Sequence, residues 1–477
     1  VLSRFKYVII GAGPTGLGAA YRLRELGEKD FIVLEGTSQV GGLATSFKDE
    51  KGFTWDIGGH VQFSHYKYFD ELMLKALGSD GWLKHQRESW AWMRERFVPY
   101  PVQNNIKYLP KEVMWNCLQG LIKIYKDNAA IGTASIATAS SLLTSVEKPA
   151  NFYEWILAVF GQGLAEEFML PYNFKVWAFD PKYLSYSWIG ERVAVTDLER
   201  VTKNILFDQD DISWGPNNLF QFPRTGGTGA IWERVADLAG RENILLNQNV
   251  QTIDLNAKRL KVSSAGSADA PSEIEYEHLI NTMPLDIFCQ KAKGLPSDLI
   301  SSSSRLKFSS SNIVGIGLKG APPDELYTKC WMYFPETNCP FYRVTVFSNY
   351  SPQNVPDIKT NWSLMAEISE SPDKPVNRET LIDDTINGML ATKLIKSADD
   401  VISTWKYSAD HGYPTPSLER DDILKQVLPA LEKFEVYSRG RFGAWKYEVS
   451  NQDHSLMQGV ELISRLVHGT PEETLVV

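Results

Sequence analysis

The run Val8-Ile9-Ile10-Gly11-Ala12-Gly13-Pro14-Thr15-Gly16-Leu17-Gly18 sets a G-x-G-x-x-G loop between an apolar strand and a helix. Gly11 allows the tight turn and Gly13 a close backbone approach to a pyrophosphate. That group then sits on the unpaired amides and positive end of the helix, where Thr15 and Gly16 lie. The next apolar run, Phe31-Ile32-Val33-Leu34, leads to Glu35, a carboxylate placed to accept hydrogen bonds from both hydroxyls of a ribose. A dinucleotide is expected. Two further glycine pairs follow, in Gly41-Gly42-Leu43-Ala44 and Asp56-Ile57-Gly58-Gly59-His60. This extended pattern suits FAD enzymes better than NAD dehydrogenases, so FAD is the expected cofactor, with Gly42, Leu43, Gly58 and Gly59 close to it.

At 477 residues the chain exceeds what one hydrophobic core supports, and two or three domains are expected. A net charge of -9 argues against nucleic acid as a partner, so any anionic substrate needs arginines gathered locally. No run of 18 or more apolar residues occurs, and the opening residues lead directly into the first strand rather than a signal-peptide core. A soluble cytoplasmic protein without membrane insertion is expected. Cys117, Cys289, Cys330 and Cys339 have no histidine at metal-ligand spacing, which predicts reduced thiols and no metal site.

The pattern predicts an α/β fold: a Rossmann-like FAD-binding domain, an α-helical domain and an antiparallel β-sheet substrate domain. The first is assigned 1–100 with about 205–250 and 410–477, the helical part about 105–204, and the sheet about 251–409. Short β-like runs at 249–253, 278–282, 312–318 and 342–347 support the last assignment, and 381–394 reads as a helix. Residues 129–145, rich in Ala, Ser and Thr, read either as a connection or as a small-residue helix.

Several blocks in order carry a closer resemblance. They are Gly58-Gly59-His60-Val61-Gln62-Phe63-Ser64-His65-Tyr66, Val98-Pro99-Tyr100-Pro101-Val102-Gln103-Asn104-Asn105, Pro171-Tyr172-Asn173-Phe174-Lys175-Val176-Trp177-Ala178 and Gly190-Glu191-Arg192-Val193. Later come Phe222-Pro223-Arg224-Thr225-Gly226-Gly227, Cys330-Trp331-Met332-Tyr333, Phe341-Tyr342-Arg343, His411-Gly412-Tyr413-Pro414 and Gly440-Arg441-Phe442-Gly443-Ala444-Trp445-Lys446-Tyr447. Together they resemble the eukaryotic UDP-galactopyranose mutases over nearly the whole chain.

The resemblance implies interconversion of UDP-galactopyranose and UDP-galactofuranose through a covalent adduct of reduced flavin with the anomeric carbon, supplying galactofuranose for cell-surface glycans. It implies FAD as cofactor and NADPH as the reductant that activates it. Arg192 and Arg343 match the family arginines that hold the diphosphate, and Trp331, Tyr333, Tyr350, Tyr413 and Tyr447 match its phosphate and sugar contacts. Tyr100, Gln103, Phe168 and Asn173 match the uridine site, with Trp177 and Asn217 as neighbours. His60 matches the histidine beside the flavin, whereas His65 reads as structural. Arg441, Asn451 and Gln452 match the family's flavin contacts. Val102 replaces a common phenylalanine, Gln62 a usual aliphatic residue and Phe174 a usual tyrosine. Two other readings remain open: an amine-oxidase-like flavoenzyme, and a non-catalytic escort protein with a flavoprotein fold. The oligomeric state is not legible.

Overall fold

Alternation along the first strand settles the first layer. Tyr7 and Ile9 enter one buried cluster while Val8 and Ile10 enter another, so the strand is covered on both faces. In the computed structural model, which describes residues 2–130, 148–195, 198–212, 215, 218–266 and 271–476, this strand (Leu2–Ile10) lies at the centre of an eight-stranded sheet. It runs parallel to Phe31–Leu34 on one side and to Ser272–Asn281 on the other. Ile244–Leu245 extends the parallel array beyond Phe31–Leu34, and Val436–Ser438 pairs in parallel with Ser272–Asn281. Gln248–Asp254 and Arg259–Ser264 add an antiparallel edge.

Helix Pro14–Glu25 covers one face together with the C-terminal helix Gln452–His468. The two cross at backbone distance: a Cβ on Gly459 would overlap the Thr15 carbonyl oxygen, and one on Gly18 would overlap that of Leu456. The end of the chain is thereby brought to the G-x-G-x-x-G turn.

The second sheet has seven strands in the order Val401–Pro414, Phe308–Lys319, Asn361–Glu370, Arg343–Val346, Trp331–Tyr333, Ser89–Met93 and Arg96–Pro99. All its pairs are antiparallel except that between Trp331–Tyr333 and Ser89–Met93. Gly315 and Gly317 leave room on its face for Trp55 and Phe53, which a Cβ would meet at 2.5 and 2.7 Å. The third part is helical: Lys111–Ala130, then Phe152–Leu164 continued through a π turn, Ala165–Met169, into Leu170–Trp177.

Two expected boundaries move. Strands Ser89–Met93 and Arg96–Pro99 belong to the second sheet, although 1–100 were assigned to the first domain. Strands from Gln248 to Asn281 belong to the first, although the sheet domain was placed from about 251. Pairing partners far apart in sequence decide these assignments, and local β pattern carries no information about them. Most of 129–145 lies outside the described residues. No described helix is long and apolar enough to cross a membrane.

Candidate active site

The two sheets face a cavity of about 1120 Å³, slightly above the upper range for a single small-molecule pocket. One end is the glycine turn. Gly11 has φ +99°, a left-handed conformation, and a Cβ there would strike the Thr282 hydroxyl. A Cβ on Gly16 would overlap the Gly11 carbonyl oxygen, so this position closes the turn onto the helix instead of lining the cavity. Gly41 N donates to Ala12 O at 2.8 Å and brings Gly42 alongside Gly13. Glu35 accepts from Ala12 N, Thr37 N and the Thr37 hydroxyl, each at 2.8 Å, which aims its carboxylate along the rim. Gly11, Gly13, Thr15, Glu35, Gly42 and Leu43 line the cavity, as do Asn451 and Gln452 at the start of the 17-residue C-terminal helix, whereas Gly58 and Gly59 line it beside Glu367. A backbone cradle that side chains would fill, a ribose-height carboxylate and two helix N-termini fit FAD well.

The other end is cationic and aromatic. Arg343, from strand Arg343–Val346, donates to Glu367 through Nε at 2.6 Å and Nη2 at 2.8 Å. Glu367 also accepts from Gly59 N at 3.0 Å and from the Tyr342 hydroxyl at 2.9 Å. Burial alone would raise Glu367, but Arg343 and these donors hold it below the ordinary carboxylate value. Arg192 lies 5.4 Å over the Tyr447 ring, and no ion pair to it is found among the described residues. Arg441 sits 4.7 Å over Tyr413, anchored by bonds to Gly412 O and to the Ser450 hydroxyl. His60, between the two ends, is lowered by burial to about 4, with Arg343 and Arg441 adding to the shift and Glu367 opposing it; its Nε2 bonds Ile57 O. It is a neutral imidazole at ordinary pH.

A family model described as flavin-containing amine oxidoreductase matches residues 14–434. The chain is 47% identical to a reduced UDP-galactopyranose mutase of known crystal structure, covering 98% of this chain and 95% of that one, with a TM-score of 0.90. The chain belongs to the flavin-containing amine oxidoreductases, among the UDP-galactopyranose mutases. Cyclohexylamine oxidase from Brevibacterium oxydans (14% identity, TM-score 0.65, 97% and 98% covered) and putrescine oxidase (16%, 0.64, 98% and 100%) share the fold alone.

In this mutase-family chain the remaining predicted residues fall into two layers. Tyr100, Trp331, Tyr333, Tyr413 and Tyr447 line the cavity with Arg192, Arg343, Arg441 and His60. Gln103, Phe168, Asn173, Trp177 and Tyr350 stand behind it. Trp177 packs edge-on against Tyr447 at 4.8 Å, and Phe168 stacks on Tyr172, which abuts Tyr333. Gln103 donates to Ala194 O and Asn173 to Met169 O. Tyr350 is fully buried among Phe220, Phe222 and Phe347. Val102 is also fully buried, in the helical core, away from the cavity wall. Asn217 lies outside the described residues. Glu367 and Arg87 were missed: both line the cavity, yet one sits in a buried strand and the other in the polar run Gln86-Arg87-Glu88, and neither carries a motif.

Proposed function

We infer that this protein interconverts UDP-galactopyranose and UDP-galactofuranose with bound FAD. The observation that carries this reading is one cavity joining a dinucleotide cradle to a set of arginines and tyrosines suited to a second, diphosphate-bearing ligand. It is an isomerase; the sugar ring changes size with no net oxidation. Gly11, Gly13, Thr15 and the start of the C-terminal helix hold the FAD pyrophosphate and ring system, and Glu35 its ribose. Bound and reduced, FAD supplies the electron-rich nucleophile that the chain's side chains lack.

The side chains handle charge and position. UDP leaves with added negative charge, and donors fixed before the reaction stabilise that charge more than they stabilise the bound substrate. Arg192 and Arg343 provide guanidinium forks for it, shaped for phosphate oxygens. Tyr333, Tyr413 and Tyr447 add hydroxyls around the sugar and phosphates. Tyr100 offers a face to the uracil, with Gln103, Phe168, Asn173 and Trp177 holding that wall. His60, neutral, faces the flavin side and can hold or accept one proton.

An amine substrate fits this cavity poorly, because Arg87, Arg192 and Arg441 would repel an ammonium ion, and the carboxylate of Glu367 is engaged by Arg343. The finer assignments follow the sequence blocks: a eukaryotic-type mutase, activated by NADPH entering the same cleft, since the sequence has no second glycine loop of this kind. A cytoplasmic site of action agrees with four buried free cysteines, and galactofuranose for cell-surface glycans is the expected use. The test is to reduce the FAD-loaded protein without oxygen, add UDP-galactofuranose and separate the products. UDP-galactopyranose is expected; its absence from fully reduced, FAD-loaded protein would reject the reading.

A further inference from the structure

Beside the cavity, which Asp453 lines, two histidines converge on one carboxylate. Asp453 is in the first turn of the C-terminal helix, with its side chain 1% exposed. Its Oδ2 accepts from His65 Nδ1 at 2.8 Å and from His65 N at 3.2 Å. Its Oδ1 lies 3.1 Å from His454 Nδ1, in ion-pair contact, and neither atom makes a hydrogen bond to any other described residue. A cation held between the two would satisfy both.

We propose that His65, Asp453 and His454 form a binding site for a divalent transition metal of the zinc class. One donor atom from each lies within 4.8 Å of the others, a spread that small side-chain adjustment closes to metal–ligand length. Two imidazoles and a carboxylate are the donor set of borderline cations such as Zn²⁺ and Co²⁺, and a poor one for Mg²⁺ or Ca²⁺. The positive end of the helix opposes a cation, and the Asp453 carboxylate offsets it directly.

The site is reachable. The His65 side chain is 33% exposed, leaving one side of the cluster open to water as the remaining ligand. Sequence spacing gives no hint of it, because 388 residues separate His65 from Asp453. A bound metal would replace the proton shared by His65 Nδ1 and Asp453 Oδ2. It would tie the segment after Gly58-Gly59-His60 to the helix that carries Asn451 and Gln452, within reach of the flavin cradle.

The test uses the full-length, FAD-loaded protein stripped of metal, titrated with Co²⁺ and read by visible difference absorption. One Co²⁺ per chain is expected, with the ligand-field bands of a protein-bound ion that Zn²⁺ abolishes by displacement. In His65→Gln and in His454→Gln the affinity should fall by more than the roughly 10- to 100-fold lost with an outer-shell partner, while exposed His468→Gln should match the parent. Zn²⁺ should raise the unfolding temperature of the parent and of His468→Gln only. Absence of protein-bound Co²⁺ bands in the parent, or equal affinity in the parent and both ligand variants, would overturn the site.

Discussion

Glu367 grips Arg343 with both carboxylate oxygens while one of them also accepts the Gly59 amide, so a single buried acid connects Arg343 to the loop carrying His60. Glu367 is 2% exposed and Arg343 23%, so the pair is largely out of water. Removing one partner of such a pair leaves the other's charge uncompensated.

Glu367→Gln should therefore lower stability by roughly 3 kcal/mol and reduce turnover together, because the amide cannot accept both Arg343 donors. Urea unfolding and steady-state kinetics on the same preparation check this. A variant with parental stability would show that water already screens the pair.

Arg192→Ala and Arg343→Ala should each cost on the order of 100-fold in kcat/KM while retaining bound flavin. Their stabilities should differ. Arg343→Ala strands the Glu367 carboxylate and should unfold at lower urea, whereas Arg192, packed on Tyr447 without an ion pair among the described residues, should leave the midpoint near that of the parent. Near-normal turnover in either variant would remove that arginine from the reaction.

Gly16→Ala should yield protein without flavin, since its Cβ would overlap the Gly11 carbonyl and force the turn open. Gly27→Ala is the comparison: φ is +79° but no atom lies near, so only about 1 kcal/mol of backbone strain is expected, with flavin retained. Flavin absorbance after purification distinguishes them. Full flavin content in Gly16→Ala would contradict the role given to the turn.

His60 has a pKa near 4 when folded, against 6.5 when free. Between those values the unfolded chain binds the extra proton, so this residue's contribution lowers stability as pH falls from 6.5 towards 4. In His60→Gln the loss of stability between pH 7 and pH 5, measured by urea unfolding, should be smaller than in the parent. An equal loss in both proteins would place the acid sensitivity elsewhere.

The dinucleotide end was legible because its chemistry is local: Gly11, Gly13 and Glu35 belong to one β-α-β unit with fixed spacing. The arginines and tyrosines were legible only through the resemblance, because Arg192, Arg343 and Tyr447 come from three separate regions. Residue type could not distinguish the wall from what stands behind it, so Tyr350 and Trp177 looked equivalent to Tyr413 and Tyr447. Glu367 was hidden inside the buried strand Asn361–Glu370, where the opposing Arg343, together with Gly59 N and the Tyr342 hydroxyl, accounts for a buried acid. The sheet boundaries at 89–99 and 248–281 depended on partners hundreds of residues away.

The cavity is expected to use a reduced flavin without spending its electrons. FAD-loaded protein should be reduced once without oxygen, freed of excess reductant and given UDP-galactofuranose, with product counted per flavin. Many molecules of UDP-galactopyranose per flavin, with the flavin still reduced at the end, is the predicted result. Product limited to one per flavin, or formed only while reductant is consumed, would contradict it.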